Sequence, residues 1–400
     1  MKKIIALMLF LVMILLIFSS CTENSVSSTE TSSADTSSVD TSSAETSSTE
    51  TSSNNTSSYV EYLSDDWFVE KAKTCVDIPE GVNVTYKVSE AYWYDFGGCN
   101  YKNVDFYENG VLVAHASVLI DGEVLLLYPY RSPGSQYEGK NFFDYFEDVE
   151  FAWHIAWEFD KYPDETVTEE ELASYSGKIF VPIYIGDISG IGYLKSITEL
   201  DASKCGIKEI PSDISQCKNL KRLELTKSYF LENISESICE LENLEFLRIS
   251  LSGADKLPEN IGNLKKLKYL YAVACGITTI PESIGGCESL VVLDLHSNDI
   301  TEIPDSITNL KNLKSLDLGY TKITSLPENI GQLTEMIRLD LFGLDIRQLP
   351  QSMKNMTKLE FLNVYNNYNL NEDYKQWFPN ECYKCTTDPE YNPDWDDGYN

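Results

Sequence analysis

Residues 290–312 read LVVLDLHSNDITEIPDSITNLKN, and residues 313–335 read LKSLDLGYTKITSLPENIGQLTE. The two stretches place Leu or Ile at the same positions and carry a proline at the same point of their second halves. Written as L-x-x-L-x-L-x-x-N-x-I-x-x-I-P-x-x-I-x-x-L-x-x, the unit recurs from Ile197, Leu220, Leu244, Leu267, Leu290, Leu313, Met336 and Leu359. Every spacing is 23 residues except one of 24, between Leu220 and Leu244. A register held through seven full units and part of an eighth is a repeat architecture, not chance.

The pattern inside the unit says what it builds. L-x-L alternates with period two, as a short strand with one buried face does, while I-x-x-I-P-x-x-I-x-x-L has the spacing of a turn and a helical or 3₁₀ return. One unit cannot bury its own apolar face. Stacked units share a continuous core, so the expected fold is a solenoid with a parallel sheet on its inner side.

These units resemble leucine-rich repeats, of the 23-residue kind carrying L-P-x-x-I-x-x-L. The resemblance implies an α/β horseshoe with a parallel concave sheet, used as an interaction scaffold. It also implies a ninth slot whose side chain bonds backbone between rungs. That slot holds Cys205, Ser228, Ser252, Cys275, Asn298, Thr321, Leu344 and Asn367, and Leu344 lacks the group to do so.

The start of the chain reads as an export signal. Met1-Lys2-Lys3 precedes fifteen apolar residues, Ile4 to Phe18, and then Ser19-Ser20-Cys21. Fifteen helical residues span only about 22 Å against a hydrocarbon core of roughly 30 Å, which favours a signal over a membrane anchor. The F-S-S-C exit resembles the bacterial lipobox, which implies a signal peptide over 1–20 and lipidation, palmitate included, at Cys21 of a cell-membrane lipoprotein. Residues 22–58 repeat T-S-S with six acidic residues and no basic or aromatic one. Such a segment cannot bury enough apolar surface to offset its ordering entropy, so 21–58 is read as a disordered tether reaching about 35 Å.

Residues 59–190 lack the repeat and are expected to form a small α+β domain. VTYKVSEAYWY (84–94), NVDFY (103–107), VLVAHASVLI (111–120) and EVLLLYPY (123–130) are β-prone. Asn109-Gly110 and Asp121-Gly122 between them are hairpin signals, so an antiparallel meander is expected. Phe142, Phe146, Val149, Trp153 and Trp157 fall at helical spacing, predicting one amphipathic helix on that sheet. Thr168 and Glu171 form a capping box for a second, short helix, and Lys178 to Ile185 fits an edge strand leading into the repeats. Repeats occupy 191–375, and 376–400 is a C-terminal cap with an acidic tail.

Little points to chemistry. His115, His154 and His296 are too few and too scattered to suggest a metal centre, and no G-x-S-x-G, H-E-x-x-H or G-x-x-x-x-G-K-[ST] occurs. Asp144, Glu147, Asp148 and Glu150 read as a solvated helix face. The DWDDGYN tail puts its Gly one place late for a calcium loop. No catalytic residue, metal or cofactor is expected, and the chain is read as a non-enzyme. With 31 basic and 63 acidic residues, and 25 acidic to 8 basic within 59–190, the chain has no basic stripe for nucleic acid.

Ten cysteines remain to be placed. Cys205, Cys217, Cys275 and Cys287 sit in apolar or ninth slots, and same-slot pairs lie three rungs apart, about 14 Å, beyond disulfide reach. These, with Cys239, are expected to be buried thiols. Cys75 with Cys99 and Cys382 with Cys385 could be bridged in an oxidising exterior.

In the strand of each unit the Leu side chains point inward, so slots three, five, seven and eight face the concave surface. They place Phe246, Tyr269, Arg338 and Phe361 at slot three, Arg248 and Tyr271 at slot five, His296, Phe342 and Tyr365 at slot seven, and Tyr320 at slot eight. Aromatic and Arg side chains are enriched in binding hot spots. Slot five also stacks Asp294, Asp317 and Asp340, a residue the family often has there. The reading is a membrane-tethered extracytoplasmic module that binds a protein ligand through the concave face. Glycan recognition by the aromatics, or an enzyme within 59–190, are the alternatives.

Overall fold

The computed structural model describes residues 64–378, except 77, 80, 89–91, 94–99, 110, 120–123, 129–138 and 184. The export signal, the tether, the tail beyond 378, and Cys21, Cys99, Cys382 and Cys385 lie outside the described residues. The chain divides into two compact units, the second beginning at Gly139.

The first unit is a helix on an antiparallel sheet. Helix α1 (Asp65–Val76) buries Phe68, Val69, Ala72 and Val76, the i, i+4 face an amphipathic helix offers. Strands β1 (Thr85–Val88) and β2 (Tyr92–Trp93) both pair with β3 (Asn100–Glu108). The β-prone run 84–94 is therefore two short strands on one edge. From β3 the sheet continues as a meander through β4 (Val111–Leu119) and β5 (Val124–Tyr128). Val104, Phe106, Ala116 and Val118 join the helix residues in one apolar cluster. Asn109 takes φ 52, the left-handed conformation that the β3–β4 turn requires.

The second unit is a leucine-rich repeat solenoid. Nine parallel strands run in chain order: β6 (Lys178–Phe180), β7 (Glu199–Asp201), β8 (Arg222–Glu224), β9 (Phe246–Arg248), β10 (Tyr269–Tyr271), β11 (Val292–Asp294), β12 (Ser315–Asp317), β13 (Arg338–Asp340) and β14 (Phe361–Asn363). The register is one residue to one, so each slot forms a straight row across the sheet. Returns are 3₁₀ turns. At four of them Pro211, Pro281, Pro304 and Pro350 hold the position before the turn, where the fixed φ of proline pre-sets the backbone. Successive turns pack so closely that a Cβ on Gly331 would fall 1.8 Å from the Ser352 carbonyl oxygen.

Leu293, Leu295, Ile300, Ile307 and Leu310 of the fifth rung are wholly buried, and the same slots are buried along the array. The ninth-slot ladder is also present. Asn298 donates from Nδ2 to the Ala272 carbonyl and accepts at Oδ1 from the Cys275 and Ile277 amides. Cys205, Ser228, Cys275 and Asn367 likewise donate to a carbonyl of the preceding rung. The ladder lapses at Leu344, as expected, and also at Ser252, whose hydroxyl turns to Cys275 Sγ of the next rung, and at Thr321, whose hydroxyl bonds Leu318 of its own rung.

Three expectations are corrected. Residues 139–190 do not belong with the meander: Phe142, Phe146, Phe151, Ile155, Leu172, Ile179 and Ile188 lie in the same apolar core as the repeats. The single helix over 142–157 is a 3₁₀ turn at Phe142–Asp144 followed by helix α2 (Val149–Glu158). Asp148 caps α2 at the Phe151 amide and so starts the helix late. Its buried stripe is thus Phe151, Ala152, Ile155 and Ala156, with Trp153 and Trp157 only half-buried. Nor is the acidic run solvated throughout, since Glu150 is 4% exposed and burial drives the Asp148 carboxyl well up from its ordinary range. The short helix α3 (Glu169–Ser174) carries the capping box expected of Thr168 and Glu171.

Candidate functional site: the concave face of the repeats

All ten concave-face residues named from the sequence are at least partly exposed rather than core, and Tyr320 and Tyr365 are the most exposed of them. They gather into two groups along the sheet. Over rungs two to four, Phe246, Tyr269 and Tyr271 form a cluster, with Phe246 5.6 Å from Tyr271 and 6.1 Å from Tyr269 between ring centroids. Arg222 lies over Phe246 at 3.6 Å and Arg248 over Tyr271 at 4.5 Å. Glu224 is buried at the base of this cluster and pairs with Arg222. Burial pushes its carboxyl up, while the Arg248 and Arg222 charges pull it back.

Over rungs five to eight, four rings stand in line where the strands end. His296, Tyr320, Phe342 and Tyr365 follow one another at 5.4, 4.7 and 5.7 Å, the first two contacts edge-on and the last stacked. Beside them runs the slot-five row, Asp294, Asp317 and Asp340, in register on adjacent strands. Each Asp accepts the amide two residues on, from His296, Gly319 and Phe342 respectively. The row therefore has a structural part, which shapes the exit from each strand. Burial first, and the Asp317 charge second, push the Asp294 carboxyl up to about 6, and the same causes act on Asp340. Asp317 in turn holds the His296 imidazolium above its ordinary range. Phe361 stands apart on the slot-three row, under Arg338 at 4.0 Å.

The sequence rule missed three things. Arg222 obeys it, at slot three of the second rung. Tyr229 and Phe230, 55% and 49% exposed, bulge where the 24-residue rung takes its extra residue. The broken period was the signal for them. Slot eight is left-handed in every rung, at Lys204, Lys227, Leu251, Ala274, Ser297, Tyr320, Gly343 and Asn366. Most of these residue types give no hint of it.

Elsewhere the polar groups have structural work. Asp105 pairs with His115 at 2.5 Å and Asn103 with Ser117 at 2.7 Å across β3 and β4. A depression of about 650 Å³ on the 3₁₀ side is lined by Asp213, Ser235, Glu236, Cys239 and Asn260. Its carboxylates are engaged, Glu236 at the Glu259 and Asn260 amides and Asp213 at Gly190 and Gly192. Cys205, Cys217, Cys239, Cys275 and Cys287 are buried free thiols, and Cys75 is an exposed one. Among the described residues no group of three acidic, His or Cys side chains could hold a metal ion, and no helix is long and apolar enough to cross a membrane.

Residues 290–376 match a family model described as a leucine-rich repeat region. No curated protein matches the chain. Similar solved structures include the leucine-rich repeat ectodomain of the plant membrane receptor kinase GASSHO1/SCHENGEN3 from Arabidopsis thaliana, in complex with CASPARIAN STRIP INTEGRITY FACTOR 2. It is 26% identical with TM-score 0.41, over 48% of this chain and 24% of that one. Another is the plant peptide hormone receptor RGFR1 in complex with RGF2, 28% identical with TM-score 0.38, over 48% and 34%. A third is the functional domain of InlJ from Listeria monocytogenes, which includes a cysteine ladder, 19% identical with TM-score 0.42, over 59% and 57%. The chain spans less than two thirds of the length of each.

Proposed function

We propose that the chain is a membrane-tethered, extracytoplasmic binding module whose concave repeat face takes a protein ligand, with Cys21 as the lipid attachment site and no catalytic role of its own. One observation carries the reading: ten partly exposed aromatic, Arg and His side chains converge on one face of a rigid parallel sheet. Leu or Ile on the opposite side of the same strands fixes their positions. Aromatic and Arg side chains held on a rigid frame lose little entropy on binding and dominate interface energetics. The acidic excess of the chain keeps an exported domain soluble and disfavours nucleic acid.

The test is capture of partners on the native chain and on a variant with Tyr269, Tyr271 and Phe342 all changed to Ala. A protein retained by the native chain and lost by the folded variant supports the reading. Equal retention moves the site off the concave face, and retention of polysaccharide alone would replace the protein ligand by a glycan.

A further inference from the structure

The two aromatic groups of the concave face differ in one respect. In the first, the chain supplies its own cations: Arg222 covers Phe246 and Arg248 covers Tyr271, while Arg338 covers the outlying Phe361. In the second, among the described residues no Lys or Arg lies over Tyr320, Phe342 or Tyr365, although Tyr320 and Tyr365 are 54% and 48% exposed. Of the acidic row, Asp340 is taken by the chain's own Arg338 at 2.9 Å. Asp294 and Asp317 each use one oxygen for a backbone amide, and among the described residues His296 Nδ1, 3.6 Å from Asp317, is the only basic side chain within ion-pair distance of either. Ring faces and carboxylates are thus side by side, both attract cations, and the chain provides little positive charge for them.

We propose that the acidic row and the aromatic ladder of rungs five to eight dock an extended peptide segment bearing Arg or Lys side chains. This rests on the concave-face reading and names the chemistry of its ligand. The spacing suits such a segment. Asp294 and Asp317 stand on adjacent strands, about 4.8 Å apart, so one basic side chain reaches both carboxylates. The neighbouring residues of the segment pack on His296, Tyr320, Phe342 and Tyr365. A ligand cation between Asp294 and Asp317 also screens their mutual repulsion, which His296 and Arg338 offset only in part.

The experiment titrates the full chain with a fluorescein-labelled nine-residue peptide of Arg-Pro-Pro repeats, and with its Glu-Pro-Pro counterpart, by anisotropy near neutral pH. Asp294→Asn with Asp317→Asn keeps both amide acceptors and removes two charges. Glu302→Gln with Glu328→Gln removes two exposed charges away from the sheet and controls for the net charge of −32. The expected result is binding of the Arg peptide only, weakened at least about tenfold by the aspartate pair and left nearly unchanged by the glutamate pair. Equal loss from both pairs means attraction by net charge alone and overturns the proposal, as does binding of both peptides. The double variant Phe342→Leu with Tyr365→Leu separates the two readings. If it weakens binding while the aspartate pair does not, the cationic class falls and the concave face stands. If neither variant matters, both readings fall.

Discussion

The Tyr320 ring meets Phe342 edge-on, centroids 4.7 Å apart and planes at 68°. Tyr320 holds this contact from a left-handed backbone, φ 52, and the equivalent residue of the next rung is Gly343, φ 68. A Cβ on Gly343 would stand 3.2 Å from Tyr320 Cδ1. Gly343→Ala is therefore expected to destabilise by about 1–2 kcal/mol through the backbone. It should also displace Tyr320, seen as reduced ligand affinity alongside a lower Tm. A variant with unchanged Tm and affinity would mean that the ladder does not depend on this close approach.

Leu293 is wholly buried in β11, at the centre of the array. Leu293→Ala leaves a cavity between adjacent rungs and should cost about 2–5 kcal/mol in denaturant unfolding. A loss below about 0.5 kcal/mol would contradict the register of the core.

Asp294 gives the concave face a pH dependence of defined sign. Its native carboxyl titrates at about 6, above the roughly 3.9 of an unfolded chain. Between these values the folded state binds a proton that the unfolded state has lost. The stabilisation from protonation is complete below about pH 4 and is lost as pH rises through about 6. Asp294→Asn keeps the acceptor for the His296 amide and removes the charge. It should stabilise by about 1–3 kcal/mol near pH 7.5 and by much less near pH 4.5. Thermal melts of both proteins at the two pH values check this, and a constant difference would refute it.

Cys21→Ala should release the protein from the membrane fraction if this thiol carries the anchor, since stable attachment requires more than one acyl chain. Cell fractionation reads the outcome. A variant that stays with the membrane places the attachment elsewhere.

The repeats were legible because seven apolar slots recur with a fixed period, and the sheet register follows from that period alone. The concave residues followed by alternation, since once Leu293 and Leu295 point inward, Val292, Asp294 and His296 must point outward. What the sequence concealed is the origin of the core. Ile191 and Leu194 stand 23 residues before Ile214 and Cys217, the eighteenth and twenty-first slots of the first rung. They are half of a degenerate rung whose strand is β6, and the aromatics before it close the end of the array. Their pattern looked like a helix on a sheet because periodicity shows which face is apolar, never what covers it. The slot-eight backbone was hidden for another reason. Lys204, Leu251 and Ala274 are not turn formers, and the stacking of neighbouring rungs imposes a conformation that their own preferences oppose.

The thiols of the solenoid make unfolding chemically visible. Burial pushes Cys217, Cys239 and Cys287 up to about 12 and raises Cys205 and Cys275 as well, so the folded array offers an alkylating reagent almost no thiolate. Cys205 and Cys217 belong to the first rung, Cys239 to the second, and Cys275 and Cys287 to the fourth, while rungs five to eight have none within 290–378. Pulsed alkylation read by peptide mass therefore times the opening of the half that holds the stacked arginines. The half with the acidic row stays silent, and a single cysteine introduced there would complete a rung-resolved clock of how the array comes apart.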